Sequence, residues 1–369
     1  MGTIYLDNQA TTPLAPEVFD AMLPWLKDNF GNPHSPHVLG RQAAAAVEVA
    51  REQVAALLPR KGRVIFTGSA TEAINLAFGS VRNMAPQGRD QIAIIDTEHA
   101  AVRDTALWYR TQGFETKLLP VDRQGLVKME GLEAFFGPKT ALVGAMLVNN
   151  EIGVIQPIEQ IASLARKHGA LMLCDAVQGF GRIDLPDQAD LIALSGHKIY
   201  GPKGIGALWV RDGVDLPPLI HGGGQEQGVR SGTLSPALCV GLGMAAKICA
   251  ERRDEDGLHI AALAAKARDL FSDWTVNGAL DQRYPGNLNI RRDRLDVARL
   301  MSEVRGVAFS AGSACASGSG RPSHVLAALG LEPAQIKSSI RLGFGRYNEI
   351  EEVERAAHLI NQAAESQLS

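Results

Sequence analysis

The sequence LIALSGHKIYGPKGIG, residues 191–206, indicates the kind of fold to expect for the whole chain. It begins as an apolar run of the kind that forms a buried strand, continues through Gly196, His197 and Lys198, and then turns sharply at several glycines and a proline. A lysine placed where a buried strand meets a tight turn suggests covalent use, such as a Schiff base with a carbonyl cofactor. A surface lysine in a loop is the alternative, and this stretch alone leaves both open.

Apolar runs of strand length recur on both sides of this stretch. They alternate with segments of helical length, which predicts a largely parallel sheet covered by helices on both faces. The runs are residues 63–66, 92–95, 141–148, 170–174, 191–194 and 205–210, and the helical segments include 72–84, 100–112 and 157–168. Before the first run, apolar spacing predicts helices near 16–27 and over 42–58.

The length of the chain, 369 residues, exceeds that of a usual single domain. Beyond about residue 250 the pattern changes to a charge run, ERRDED, then a helix, strands around 275–290 and 307–310, a loop of small residues and two more helices. We therefore predict a large α/β domain over residues 13–252 and a smaller α+β domain formed by residues 1–12 and 253–369.

Composition and charge favour a partner that is a small molecule or another protein. The net charge of −3 and the pI near 6.3 argue against a nucleic-acid face or a membrane-surface patch, because both need clustered Lys and Arg. The four cysteines, at positions 174, 239, 249 and 315, form no CxxC pair, and no histidine cluster has zinc-ligand spacing, so no metal site is predicted. No signal sequence or bilayer-spanning run is evident, and we expect a cytoplasmic protein.

Polar or ionisable residues follow nearly every apolar run. In open α/β sheets ligands bind outside the carboxyl ends of the strands, so we expect these side chains to converge on one site. They are Thr67, Thr71, Asp96, Glu98, His99, Asn149, Asn150, Glu151, Asp175 and Gln178.

Three of these positions have a specific chemical interpretation. The segment TGSATE, residues 67–72, closes a strand and opens a helix whose N–H groups suit a phosphate, although an ordinary cap at Thr71 with nothing bound would give the same pattern. Asp175 directly follows a buried run and needs a positive or proton-donating partner, which a protonated pyridine nitrogen or a local turn could supply. His99 could stack on an aromatic ring or act as an acid–base group. The alternative is a histidine that only makes hydrogen bonds within the fold.

Three later segments add candidates. The glycine-rich GGGQEQGVRSGT, residues 222–233, carries Arg230 and Thr233 and is typical of a loop that approaches an anion or a neighbouring subunit. Arg341 offers a planar fork for a carboxylate. Ten of the eleven residues in 310–320 are Gly, Ala or Ser, which predicts a loosely held, accessible loop, so the remaining residue, Cys315, is a candidate nucleophile.

Together these segments resemble the cysteine desulfurases of the NifS/IscS type, which are fold type I enzymes that use pyridoxal 5′-phosphate. The similarity extends from YLDNQATTP, residues 5–13, to SIRLGFGR, residues 339–346. The resemblance implies that Lys198 holds the cofactor covalently, that His99 stacks on its ring and assists proton transfer, and that Cys315 takes up sulfur. It also implies that Asp175 and Gln178 contact the pyridine nitrogen and the ring oxygen.

The same resemblance implies the remaining contacts of the site. Thr233 would reach the cofactor phosphate of the other subunit of a homodimer, Asn150 would lie near cofactor and substrate, and Arg341 would hold the substrate carboxylate. The rest of the phosphate cradle would consist of Ala70, Thr71, Ser195 and His197.

The implied reaction converts L-cysteine to L-alanine and leaves a persulfide on Cys315, from which sulfur passes to an acceptor such as an iron–sulfur scaffold protein. A selenocysteine lyase, an aminotransferase and a sulfur-delivery protein are the alternatives. Cys315 in its GSAC setting argues against an aminotransferase, and the set of Lys198, Asp175, Gln178 and His99 argues against a pure binding protein. Two departures from the family pattern, Gln227 in place of Arg and YPGNLNI at 284–290 in place of LPNTLNI, leave the partner and the dimer contacts open.

Overall fold

A computed structural model describes residues 2–311 and 322–369. The predicted fold class, a large mainly parallel-sheet unit with a smaller α+β unit, is confirmed. The helices in this part of the chain are Pro16–Lys27, Val38–Ala55, Ala70–Gly79, Val81–Met84, Ala100–Thr111, Ile158–Lys167, Pro236–Leu270, Val297–Glu303, His324–Ala328, Pro333–Lys337 and Ile350–Leu368.

The larger sheet has seven strands, and six of them are the apolar runs predicted from the sequence. In spatial order they are Gly62–Thr67, Gly206–Arg211, Leu191–Ser195, Leu171–Asp175, Thr140–Met146, Gln91–Ile95 and Glu115–Leu119. Neighbours pair in parallel except at Gly206–Arg211, which is antiparallel to both of its neighbours. The seventh strand, Glu115–Leu119, was not predicted, because its sequence ETKLL lies at the sheet edge and is mostly half-exposed.

Both faces of this sheet are buried, which explains why its strands read as continuous apolar runs rather than alternating ones. Along the strand Gly62–Thr67, Phe66 packs into the core on one face and Ile65 into the core on the other. Helices Val38–Ala55 and Ile158–Lys167 cover the first face, and Ala70–Gly79 and Ala100–Thr111 cover the second. The carboxyl ends of the parallel strands are left for the site.

A separate core lies beneath a three-stranded antiparallel sheet and a short parallel strand pair. The sheet is formed by Ser339–Gly343, Asn287–Arg291 and Thr275–Val276, and the pair by Ile4–Tyr5 and Val307–Ala308. Ile4 and Leu6 belong to this core, so the chain start packs with the end of the chain. The predicted domain boundary at 252–253 stays a prediction, and it falls within the continuous helix Pro236–Leu270, which packs residues into both cores.

Candidate active site

One cavity of about 250 Å³ brings most of the predicted site residues together. It lies where the strands Leu171–Asp175 and Leu191–Ser195 end and the helix Ala70–Gly79 begins. The predicted residues that line it are Ala70, Thr71, His99, Asn150, Asp175, Gln178, Ser195, His197, Lys198 and Arg341. Two larger clefts, of about 750 and 500 Å³, are lined by other described residues and contain none of these.

Lys198 lies in the single 3-10 turn Gly196–Lys198 that follows the strand Leu191–Ser195. Its Nζ donates hydrogen bonds to the backbone carbonyl oxygens of Gln9, at 2.5 Å, and Ala10, at 2.8 Å. Gln9 and Ala10 also line the cavity. Their role was not predicted from the segment YLDNQATTP, because a backbone carbonyl leaves no side-chain signature.

Asp175 is the last residue of its strand and is buried in the cavity wall. Burial raises the pKa of its carboxyl, while the charges of His99 and Lys198 and a 3.0 Å hydrogen bond from the Val177 N–H oppose this rise. A carboxylate that burial destabilises gains from a cationic partner in the adjoining space. The protonated nitrogen of a pyridine ring fits this requirement.

His99 and Gln178 are both held in fixed orientations. His99 caps the helix Ala100–Thr111, where its Nδ1 accepts a hydrogen bond from the Ala101 N–H at 3.1 Å, so the proton of the neutral ring lies on Nε2. The Gln178 side chain donates from Nε2 to the Gln9 carbonyl at 2.9 Å and accepts at Oε1 from Arg182 at 2.8 Å. The cavity wall is therefore built around side chains whose orientation is set by the surrounding fold.

The N-terminus of the helix Ala70–Gly79 forms another part of the cavity wall. The N-cap residue of this helix is Ser69, whose Oγ accepts a hydrogen bond from the Glu72 N–H at 3.2 Å. The alternative in which Thr71 caps the helix was therefore wrong, because the helix already begins at Ala70. Burial, with the charges of Lys198 and Lys203, lowers the pKa of His197 to about 4. A helix N-terminus lined by small residues and a neutral imidazole suits a phosphate group.

Arg341 lies at the centre of the buried strand Ser339–Gly343. Its Nη2 donates to Asp7 Oδ1 at 2.7 Å and to Ser310 Oγ at 3.3 Å, and its Nη1 donates to the Asn150 carbonyl at 2.9 Å. Within the described residues, Arg341 Nε, Asn150 Oδ1 and Gln9 Oε1 are buried without a hydrogen-bond partner. Arg341 and Asn150 both line the cavity, so the strand Ser339–Gly343 places a fixed guanidinium group at its wall.

Thr233 is the one described residue of the predicted site that does not line this cavity. Thr233 is exposed on the loop before the helix Pro236–Leu270. Cys315 lies outside the described residues, whereas Cys174, Cys239 and Cys249 are all buried. Arg230, from the same loop as Thr233, forms a 2.7 Å ion pair with Glu72.

Residues 2–311 and 322–369 contain neither a cluster of metal ligands nor a membrane-spanning helix. In these ranges, no group of three or more His, Cys, Asp or Glu side chains has an arrangement that could hold a metal ion. None of the helices described for this chain combines the length and the apolar character needed to cross a membrane.

A comparison with known proteins identifies the family of this chain. Residues 4–356 match the family model of the class-V aminotransferases. The chain therefore belongs to the class-V aminotransferase family, and this membership implies pyridoxal 5′-phosphate as the cofactor.

Its relatives define the branch of that family. The chain is 43% identical to a mitochondrial cysteine desulfurase of Eremothecium gossypii, covering 98% of this chain and 76% of the relative. It is 42% identical to the cysteine desulfurase IscS of Rickettsia bellii, covering 97% and 90%. A solved NifS-like protein superposes with a TM-score of 0.90 at 33% identity, over 98% of each chain. Within the class-V family the chain is one of the cysteine desulfurases.

Proposed function

We propose that the protein takes sulfur from L-cysteine onto Cys315, releases L-alanine, and uses the cavity around Lys198 to hold pyridoxal 5′-phosphate. One observation carries the proposal: a lysine amine, a buried aspartate and a helix N-terminus line the same cavity of about 250 Å³. These three groups match the aldehyde, the pyridine nitrogen and the phosphate of this cofactor.

The residues present fit the cofactor at each end. Lys198 would supply the covalent link, Asp175 would pair with the ring nitrogen, and Ala70 and Thr71 would meet the phosphate at the helix N-terminus with Ser195 and His197. Gln178 would contact the ring oxygen. When bound, the cofactor supplies an electron sink that allows the α-proton of an amino acid to leave.

The remaining cavity residues would bind the substrate and handle protons. Arg341 would hold the L-cysteine carboxylate, since it lines the cavity and is fixed there by its bonds to Asp7 and to the Asn150 carbonyl. The Lys198 amine is the group that would accept and return a proton within the cavity. His99, whose neutral ring carries its proton on Nε2, would assist by donating a hydrogen bond from that atom.

The sulfur step needs a thiolate that reaches the substrate. In the proposed step the Cys315 thiolate attacks the sulfur of the bound cysteine, a new S–S bond forms, and the C–S bond breaks with its electron pair left on the β-carbon. Protonation of that carbon completes L-alanine, so the thiol is oxidised to a persulfide as the carbon is reduced and no external oxidant is needed.

A homodimer is part of the same proposal. Phe19, Leu23, Leu26 and Phe30 are 48%, 43%, 62% and 82% exposed and recur at spacings of three and four residues along and just beyond the helix Pro16–Lys27. Such an apolar stripe is typical of a surface covered by another chain. We propose that a second copy of this chain covers the stripe.

The proposal also includes a sulfur acceptor. A protein such as an iron–sulfur scaffold protein would take the sulfur from the persulfide on Cys315.

The proposal is tested by measuring L-alanine released from L-cysteine with pyridoxal 5′-phosphate and a reductant present. The wild type is expected to produce alanine, and Cys315→Ala is expected to lose turnover by about a thousandfold or more, because the covalent acceptor is gone. Lys198→Ala is expected to lose the absorbance of the covalently held cofactor.

Cys239→Ala is the matched control, because burial raises the pKa of this thiol to about 12 and keeps it protonated. Wild-type turnover in that variant, together with loss in Cys315→Ala, assigns the reaction to one thiol. A wild-type protein that holds the cofactor and releases no alanine from L-cysteine would refute the proposed reaction.

A further inference from the structure

Arg182 contacts two residues of the cavity wall but does not line the cavity itself. It lies four residues after Gln178, in the turns that follow the strand Leu171–Asp175. Its backbone N–H donates to the Gly179 carbonyl at 3.0 Å, so these turns are held by main-chain hydrogen bonds. The Arg182 side chain therefore starts from a fixed position behind the wall.

The guanidinium group of Arg182 bridges Gln178 and Lys198. Its Nη1 donates to Gln178 Oε1 at 2.8 Å, and its Nη2 donates to the backbone carbonyl oxygen of Lys198 at 2.5 Å. A guanidinium group is planar and holds its donors at fixed angles. The two bonds therefore couple the orientation of the Gln178 amide to the position of the turn Gly196–Lys198.

The guanidinium group is itself held against an aromatic ring. The Cζ atom of Arg182 lies 5.2 Å from the centroid of the Tyr284 ring, and Tyr284 is buried. A cation over the face of an aromatic ring is attracted by the ring quadrupole. Tyr284 is the first residue of YPGNLNI, one of the two departures from the family pattern, so this departure contacts the group that holds Gln178.

The bond from Arg182 decides which end of the Gln178 amide can meet a ligand. Oε1 accepts from the Arg182 cation, and Nε2 donates one of its two N–H groups to the Gln9 carbonyl at 2.9 Å. A flipped amide would place an N–H against the cation and an oxygen against the Gln9 carbonyl, and both contacts would be repulsive. Within the described residues, the second N–H of Nε2 is thus the group left for a bound ring oxygen.

We propose that Arg182 is a positioning residue, which fixes Gln178 as a hydrogen-bond donor to the ring oxygen of the cofactor and links that donor to the turn that carries Lys198. This inference rests on the proposed function. A donor at the ring oxygen stabilises its negative charge, most of all once the Schiff-base nitrogen beside it has lost its proton. Arg182 therefore lowers the pH at which the covalently held cofactor loses that proton.

Other charged and titratable groups surround these residues and stay unchanged in the variants at Arg182 and Gln178. Those that line the cavity are His99, Asp175, His197, Lys198 and Arg341. Those that line the small cleft beside Arg182 are Tyr200, Cys249, Arg253, Asp256, Tyr284 and Arg346.

The test follows the absorbance of the holoenzyme against pH, which reports the Schiff-base proton and needs no turnover. Gln178→Ala removes the donor and is expected to raise the midpoint by about one pH unit. Arg182→Met leaves the amide free to turn and is expected to raise it by about half a unit or more. If Arg182→Met does not fold, Arg182→Lys keeps the charge, lacks the planar fork, and should shift the midpoint in the same direction by less.

A double variant separates position from charge. Loss of the Arg182 cation would by itself raise the midpoint, because a nearby positive charge disfavours a protonated nitrogen. In a Gln178→Ala background, Arg182→Met is expected to add no further shift, since residues that act through one another are not additive. A further shift there would mean that the charge acts directly on the cofactor, and would overturn the positioning role.

Arg89→Met is the matched control for loss of a bridging arginine. The Arg89 Nη1 donates to the carbonyl oxygens of Thr140, at 2.7 Å, and His168, at 3.0 Å, and Arg89 does not line the cavity. This variant is expected to lower the thermal unfolding midpoint without moving the absorbance titration. An unchanged titration in folded Arg182→Met, or an equal rise in Arg89→Met, would overturn the inference.

Failure of the proposed function gives different results. A wild type that holds the cofactor and releases no alanine refutes the proposed reaction, and the titration still tests Arg182. A wild type that takes up no cofactor refutes the proposed function and removes this inference with it.

Discussion

Among single residues, a second buried carboxyl group besides Asp175 lies next in sequence to His99 of the cavity wall. Glu98 is fully buried, and its Oε1 accepts from the Met146 N–H at 2.7 Å, while its Oε2 has no partner within the described residues. Burial raises the pKa of Glu98 well above its ordinary value, and the charge of Asp175 raises it further. Both effects favour a protonated, neutral Glu98 in the folded protein.

This shift has a definite sign in the pH dependence of stability. A carboxyl whose pKa is raised on folding binds its proton more tightly in the folded state. Its stabilising contribution is therefore fully present below the ordinary value of 4.5 and is lost as the pH rises through the raised folded-state pKa. Asp175, whose pKa is also raised, contributes with the same sign.

We predict that Glu98→Gln makes the stability of the cofactor-free protein less dependent on pH. Glutamine keeps the acceptor oxygen for Met146 and has no proton to lose, so thermal unfolding midpoints at about pH 5 and about pH 8 should differ less than in the wild type. Glu130→Gln, at an exposed glutamate, serves as the control and should leave the wild-type difference unchanged. An unaltered difference in Glu98→Gln would show that Glu98 is already ionised in the folded state.

Among the elements, the part of the cavity that we propose binds the phosphate depends on the close approach of one strand and one helix. The strand Gly206–Arg211 begins against the start of the helix Ala70–Gly79. A Cβ atom on Gly206 would lie 2.6 Å from the Ser69 carbonyl carbon, 2.7 Å from the Leu194 carbonyl oxygen and 2.8 Å from the Ala70 nitrogen. These are backbone atoms that cannot rotate away, so only glycine lets this strand and this helix N-terminus meet.

We predict that Gly206→Ala destabilises the protein by about 1–3 kcal/mol and weakens cofactor binding, because the strand and the helix N-terminus must move apart. Gly257→Ala is the matched control. Gly257 is exposed within the helix Pro236–Leu270, where an added Cβ meets nothing, so alanine should stabilise by about 0.5–1 kcal/mol. Chemical unfolding and cofactor titration measure both effects. Wild-type cofactor affinity in Gly206→Ala would argue against a phosphate at this end.

The elements that have a clear apolar pattern were predicted from the sequence, and those that lack one were missed. Runs such as 92–95 and 191–194 became buried strands, because a strand covered on both faces is apolar throughout. The strand Ser339–Gly343 was missed, since Arg341 at its centre reads as a surface residue although the fold buries it.

The site shows the same division. Side chains that follow predicted strands, among them Asp175, His99 and Asn150, line one cavity as expected. Two features of the site could not be predicted. The backbone carbonyls of Gln9 and Ala10 have no side-chain pattern. The bond from Ser323 to Glu151 joins residues that lie 172 positions apart, so no local pattern reports it.

At the scale of the whole molecule, the position of Thr233 raises the question of how many chains build one site. Thr233 is exposed and does not line the cavity of its own chain, whereas the resemblance to cysteine desulfurases assigns it to a cofactor phosphate. In a symmetric dimer each of two equivalent sites can be completed by a residue of the opposite chain. The exposed stripe that includes Phe19 and Leu26 offers a surface for such a dimer.

We predict that mixed dimers of Thr233→Ala and Lys198→Ala chains regain activity that neither variant has alone under limiting cofactor. If Thr233 serves the opposite chain, one site of each mixed dimer combines an intact Lys198 with an intact Thr233, and random pairing gives about a quarter of the wild-type activity. If Thr233 serves its own chain, every site in the mixed dimer retains one defect and no activity returns. The assay mixes the unfolded variants, refolds them together with pyridoxal 5′-phosphate, and measures alanine, with each variant refolded alone for comparison. Regained activity would require the dimer as the catalytic unit, because no single chain in the mixture carries both intact residues.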